Sequence, residues 1–148
     1  MFTLFCAAPL LRSQTGTSVW DGVYTAAQAT RGKASYGKAC SSCHGDALDG
    51  SGGQSPALAG KDFMTNWNGM TLGDLFDRIQ STMPADNPGS LKPADAADIM
   101  AYMLQVNMFP AGQTDLASDT AALKKINIEA TKPAKEEASW IFPIRQWI

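Results

Sequence analysis

Cys40-Ser41-Ser42-Cys43-His44 sets two thiols three positions apart, with an imidazole directly behind them. Thiols at that spacing can each add to one vinyl group of a haem, forming two thioether links. The histidine that follows then lies under the ring and ligates iron on one face. His44 is the only histidine in the 148-residue chain. Bound iron would therefore have one axial ligand fixed by elimination, and its other ligand is not a second imidazole.

Other uses of a C-x-x-C pair fit less of the sequence. A thioredoxin-like redox pair opens a helix in a strand-rich α/β domain, and no strand pattern is present to build one. A structural zinc site needs four ligands, usually as two separated pairs. Beyond Cys40, Cys43 and His44 the chain offers only Cys6, in an apolar N-terminal stretch. A buried disulfide would leave both the adjacent histidine and the glycine-rich run behind it unexplained. Covalent haem accounts for all of these features.

Composition narrows the reading further. The length suits one domain of about 100 residues plus flanks, and 45% hydrophobic residues are enough for a core. A net charge of −2 and a pI near 5.2 carry no nucleic-acid signature. Seven methionines against one histidine suit a thioether as the second iron ligand. One motif means one haem. Met1 to Leu11 is apolar and about as long as a signal-peptide core, although no basic residue precedes it. Residues 1–17 are expected to be a leader or the remnant of an export signal, cleaved before Ser18. Cys6 is assigned to that leader, because Phe5 stands where a lipoprotein acceptor needs a small residue. The apolar run is too short to span a bilayer, and no other segment is able to cross one.

Local patterns predict four helices. Thr25 to Cys40 is rich in Ala and Lys, and the stretch from Gly45 to Gly60 holds five glycines and reads as a tight irregular loop. Lys61 to Asn66 is a short helix. Thr71 to Thr82 is capped by Thr71, has Asp74 at the capping-box position, and sets Leu72, Leu75, Phe76 and Ile79 on one face. Met83-Pro84 stops it. Pro93 opens a last helix running to about Asn107, with apolar positions Ala96, Ile99, Met100, Met103 and Leu104. Pro110 and Gly112 end this pattern. Residues 117–148 form a C-terminal tail, a polar linker followed by an apolar aromatic end that includes Trp140, Phe142 and Trp147.

From about Val19 to Leu116 the chain resembles a class I c-type cytochrome domain, and the domain is drawn as 18–116. The resemblance implies an all-α, cytochrome c-like fold, with helices wrapped around one covalently bound haem. Gly32 and Tyr36 stand where that family places a Gly and an aromatic at the crossing of its terminal helices, with Ile99 and Tyr102 as their partners. The cofactor-binding residues implied are Cys40, Cys43, His44, Met83, Pro56 and Trp67. His44 and Met83 are the metal ligands, and Met83 is the sixth ligand in the loop MPADNPGSL. Met64 and Met70 flank the short middle helix, while Met100 and Met103 read as helix packing. Pro56 resembles the proline whose carbonyl takes the other ring N–H of the ligating histidine. Trp67 resembles the tryptophan that donates to a haem propionate, and Arg78 is a further candidate to face one.

The function implied is one-electron transfer through a His/Met-ligated haem c, without catalysis. Val19-Trp20-Asp21-Gly22-Val23-Tyr24 and MPADNPGSL are similar to cytochromes associated with bacterial quinoprotein, alcohol or sugar dehydrogenases. They imply a periplasmic dehydrogenase as donor and an oxidase or another cytochrome as acceptor. Localisation would be periplasmic or otherwise exported. The tail is a candidate for weak peripheral or partner docking. Two rival readings are a haem enzyme or gas- and peroxide-responsive protein with a displaceable Met, and a cytochrome subunit of a dehydrogenase complex. The first lacks a distal histidine or an acid–base pair.

Overall fold

The computed structural model describes residues 17–134 except Gln54. Residues 1–16 with Cys6, most of the stretch expected as a leader, and the aromatic end with Trp140, Phe142 and Trp147 lie outside the described residues. Helices make the architecture. They are α1 (Ala26–Ala39), α2 (Ser41–His44), α3 (Gly60–Trp67), α4 (Leu72–Thr82), α5 (Pro93–Val106) and α6 (Thr120–Leu123). The only strands among the described residues are β1 (Thr17–Ser18) and β2 (Ile126–Asn127), paired in parallel.

The helix limits follow from local chemistry. Thr25 caps α1 by accepting the Gln28 N–H at 3.0 Å. Thr71 and Asp74 form the expected capping box on α4: the Thr71 hydroxyl accepts from the Asp74 N–H, and the Asp74 carboxylate accepts from the Thr71 N–H. The Thr71 hydroxyl bond to the Asp74 carboxylate at 2.6 Å, and then the Thr71 N–H, hold that carboxyl below the usual carboxylate range. Pro93 sits in the first turn of α5, where its missing N–H costs nothing.

The most extensive helix contact is α1 against α5. A Cβ on Gly32 would overlap the carbonyl group of Asp98, so at this position only glycine lets the two backbones meet. One turn on, Tyr36 and Tyr102 pack edge to face with centroids 5.6 Å apart. Arg31 closes the exposed side with a bidentate contact to Asp98 and a 2.7 Å contact to Asp115. Those two carboxylates raise the guanidinium pKa further.

Packing does not stop at Leu116, where the sequence places the domain boundary. Leu116, Leu123 and Ile128 are buried members of the main core. The polar run from residue 117 has no broad apolar stripe, yet α6 packs on α4 and β2 on β1. Two buried side chains and backbone pairing are enough to seat it. The packed unit therefore extends through Ile128, and removing everything after Pro110 would strip part of the core.

Three substitutions check this account. Gly32→Ala is expected to lose about 1–3 kcal/mol or more in denaturant unfolding of the holoprotein. Gly37→Ala, whose Cβ would meet nothing within 4 Å, should instead gain about 0.5–1 kcal/mol. Leu123→Ala should cost about 2–5 kcal/mol. A loss below about 0.5 kcal/mol, the usual surface range, would return the boundary to Leu116.

Candidate haem-binding site

The Cys40–His44 run occupies a helical break. Cys40 closes α1 through its N–H to the Tyr36 carbonyl at 2.9 Å, and its φ of −129° departs from the helix. The single turn of α2 then starts again, and the His44 N–H donates to the Cys40 carbonyl at 2.9 Å. Tyr36, placed by the α1–α5 crossing, donates its hydroxyl to the Gly45 carbonyl at 2.7 Å and pins the far end of the turn. Burial, aided by the neighbouring Cys43, pushes the Cys40 thiol up to about 11. Cys40 is half-buried and Cys43 exposed, and neither is in a disulfide among the described residues.

His44 is buried, only 7% exposed. Its Nδ1–H donates to the carbonyl of Pro56 at 2.8 Å. A carbonyl only accepts, so Nδ1 carries a proton and Nε2 is the ring nitrogen left to face a ligand. The glycine-rich loop that delivers Pro56 is fastened at two points. The Gly50 N–H donates to the His44 carbonyl at 2.8 Å, and the Leu58 N–H donates to the Leu48 carbonyl at 2.7 Å.

Cys40, Cys43, His44 and Pro56 line a cavity of about 1050 Å³. This is at the upper edge of the roughly 300–1,000 Å³ usual for small-molecule sites. Leu58, Leu75 and Ile79 give it apolar walls, and Met83 lies at the end of α4 on the same space. Met83 has extended backbone, and its N–H closes α4 on the Ile79 carbonyl at 3.0 Å. Trp67 and Arg78 also border the cavity, and neither side chain has a protein hydrogen-bond partner among the described residues.

The site set expected from sequence is thus brought together around one space. The methionines distribute differently from expectation. Met100 is fully buried in the core away from the cavity, but Met103, also expected as packing, lines it, and so does Met70. Leu58, Asn66 and Leu91 were not foreseen as lining residues. Leu58 carried a usable signal, because it and Leu48 are the two large aliphatic side chains in the glycine-rich loop from Gly45 to Gly60. Leu75 and Ile79 were legible as an apolar face but not as a face turned to a cavity.

The donor set suits haem c. Two unpaired thiols, a buried imidazole with a free Nε2 and an apolar slot of this size meet in one place. By contrast, no group of three or more His, Cys, Asp or Glu side chains among the described residues is arranged to hold a metal ion directly. An all-α fold with these features defines a c-type cytochrome domain. The chain belongs to the family described as Cytochrome C oxidase, cbb3-type, subunit III, which matches residues 27–103, just over half of its length. No curated protein and no solved structure matches it. Membership makes this a haem c protein of the electron-transfer class. No helix among the described residues is long and apolar enough to cross a membrane.

Cys40→Ala/Cys43→Ala should lose covalent attachment entirely. Acid–acetone extraction of the purified variant checks it, since haem retained in the protein pellet would refute thioether linkage at these residues.

Proposed function

We propose that the chain holds one haem c between His44 and Met83 and relays single electrons between redox proteins in the periplasm or another exported location. The observation that carries this reading is the shared cavity of Cys40, Cys43, His44 and Met83. When bound, haem c supplies a one-electron iron couple. The protein's part is to hold both axial positions, set the polarity and leave an edge for a partner.

Each residue has a physical role in this reading. Cys40 and Cys43 anchor the ring. His44 offers Nε2, while its Nδ1–H bond to Pro56 fixes the ring plane and raises its basicity. Met83 offers a thioether, which raises the potential relative to a second imidazole. Of the cavity methionines, Met103 is fully buried within α5, and Met70 is 40% exposed on a turn. Met83 is half-buried on extended backbone at a helix end, where its side chain is free to meet iron without displacing a core residue. The unpartnered N–H groups of Trp67 and Arg78 are assigned to the propionates.

For partners, we assign a periplasmic dehydrogenase as donor and an oxidase or another cytochrome as acceptor. The resemblance of Val19–Tyr24 and the MPADNPGSL loop supports the donor. The family description, which names an oxidase subunit, supports the acceptor. That description also favours a second reading, in which the chain is a resident cytochrome subunit of an oxidoreductase complex rather than a diffusing carrier. Recovery of the chain in a stable membrane complex would select the subunit.

Pyridine haemochrome analysis should give one haem c per chain, and a redox titration should follow a one-electron curve. Met83→Ala should keep the haem, lose the weak sulfur-to-iron absorption at the red end of the oxidised spectrum, and lower the midpoint potential. Met70→Leu, Met100→Leu and Met103→Leu should keep that absorption. Its loss in one of these, with retention in Met83→Ala, would reassign the ligand.

A further inference from the structure

Leu116–Ala130 lies beyond the family match, which ends at residue 103, and none of its residues lines the cavity. It nevertheless runs from α1 to the wall that carries Met83. At its start, Gln28 grips Leu116 twice, accepting from its N–H at 2.6 Å and donating to its carbonyl at 3.0 Å. At its end it is bonded to the turn 68–71. The Ile128 N–H donates to the Met70 carbonyl, and the Gly69 N–H donates to the Ile128 carbonyl, both at 2.8 Å. The Ala130 N–H adds a 2.7 Å bond to Oδ1 of Asn68.

Between these ends α6 sits on the back of α4. Thr120 donates to Asp77 at 2.8 Å, and Lys124 lies over Gly73. A Cβ on Gly73 would overlap the Lys124 side chain and stand 2.8 Å from its backbone nitrogen. The two surfaces held in this way both face the cavity with their other sides. The turn carries Met70 and follows Trp67, while α4 contributes Leu75 and Ile79 and ends at Met83.

We propose that Leu116–Ala130 is a positioning strap that holds the Met83 wall closed and so sets how readily an outside ligand replaces the sixth ligand. This rests on the assignment of Met83 above. An incoming ligand needs the wall open, and its apparent affinity scales with the population of that open state. Opening has to move α4 or the turn 68–71, and each is bonded to a segment that Gln28 fastens to α1. Loosening the strap raises the open population without touching any group that meets the haem.

The test is imidazole titration of the oxidised holoprotein, followed in the visible spectrum. Gly73→Ala displaces α6, and Asn68→Ala removes one exposed hydrogen bond, which keeps the test available if Gly73→Ala does not fold. Leu104→Ala, in the core and off the cavity, is the control for stability alone. Both strap variants should keep the red absorption in buffer and bind imidazole about fivefold or more tighter, as expected for couplings of this kind. Leu104→Ala should lower the melting temperature with an unchanged imidazole Kd. Unchanged affinity in every strap variant that folds would overturn the proposal, as would an equal gain in Leu104→Ala at matched loss of stability. Met83→Ala run in parallel separates the two failures. Absorption retained there overturns the ligand assignment and the strap with it, whereas a normal Met83→Ala result beside unaffected strap variants overturns the strap alone.

Discussion

The close approach of α1 and α5 at Gly32 governs the geometry on which the site depends. With Asp98 backbone where a side chain would otherwise stand, the two helices are near enough for Tyr36 to meet Tyr102 edge to face. That contact fixes the Tyr36 ring, and its hydroxyl reaches the Gly45 carbonyl immediately after His44. A helix crossing some two turns before the motif is thereby converted into the position of its last residue. From there, the Gly50 N–H on the His44 carbonyl and Pro56 on Nδ1 determine where the imidazole points. The chain of contacts is short, and most of its links are backbone groups or buried rings, which leave few alternative arrangements.

A partly open slot of about 1050 Å³, with apolar walls and polar groups at its rim, shapes the packing around it. Leu75, Ile79 and Met103 are buried core residues that also border this space, so an apolar body seated there would extend the core they belong to. A covalently anchored ring is such a body, and the thioether links keep it there in both oxidation states. On this reading the anchored ring would stabilise the folded state in which its walls meet, coupling folding to cofactor attachment. This explains why site residues and core residues overlap so heavily.

Much of this was legible before any coordinates because the relevant signals are local. The C-x-x-C-H spacing, the Thr71/Asp74 capping box and Pro93 in a first turn each act within five residues, and α1, α4 and α5 lie within a residue or two of where those signals place them. Gly32 and Tyr36 were readable only through resemblance, since a glycine and a tyrosine four apart have no unique meaning alone. The packing of the segment after Leu116 is hard to read from sequence for a physical reason. Its hold on the fold comes from Leu123 and Ile128, widely spaced, and from backbone hydrogen bonds that any side chain would permit. Such pairing leaves almost no trace in composition. Met103 shows the same limit from the other side, because a helical methionine facing a core and one facing a cofactor have identical periodicity.

The N-terminal run Val19–Tyr24 takes on a structural meaning beside its suggested link to dehydrogenase partners. Trp20 packs edge-on against Phe109 at 4.9 Å and donates its indole N–H to the Glu129 carbonyl at 2.8 Å. Tyr24 is buried and donates to the Phe109 carbonyl at 2.7 Å, with burial raising its hydroxyl pKa. The aromatic residues of this stretch are thus turned inward, toward the end of α5 and the segment after Leu116, and do not offer a partner a hydrophobic anchor. A docking surface for electron transfer needs accessible groups close to the ring edge, because coupling between redox centres depends on how near they come. Met70 meets that condition, being exposed and bordering the cavity. Partner choice is therefore better sought around that mouth than in Val19–Tyr24. The side chains that differ there among related chains, rather than the aromatic run, would separate one electron donor from another.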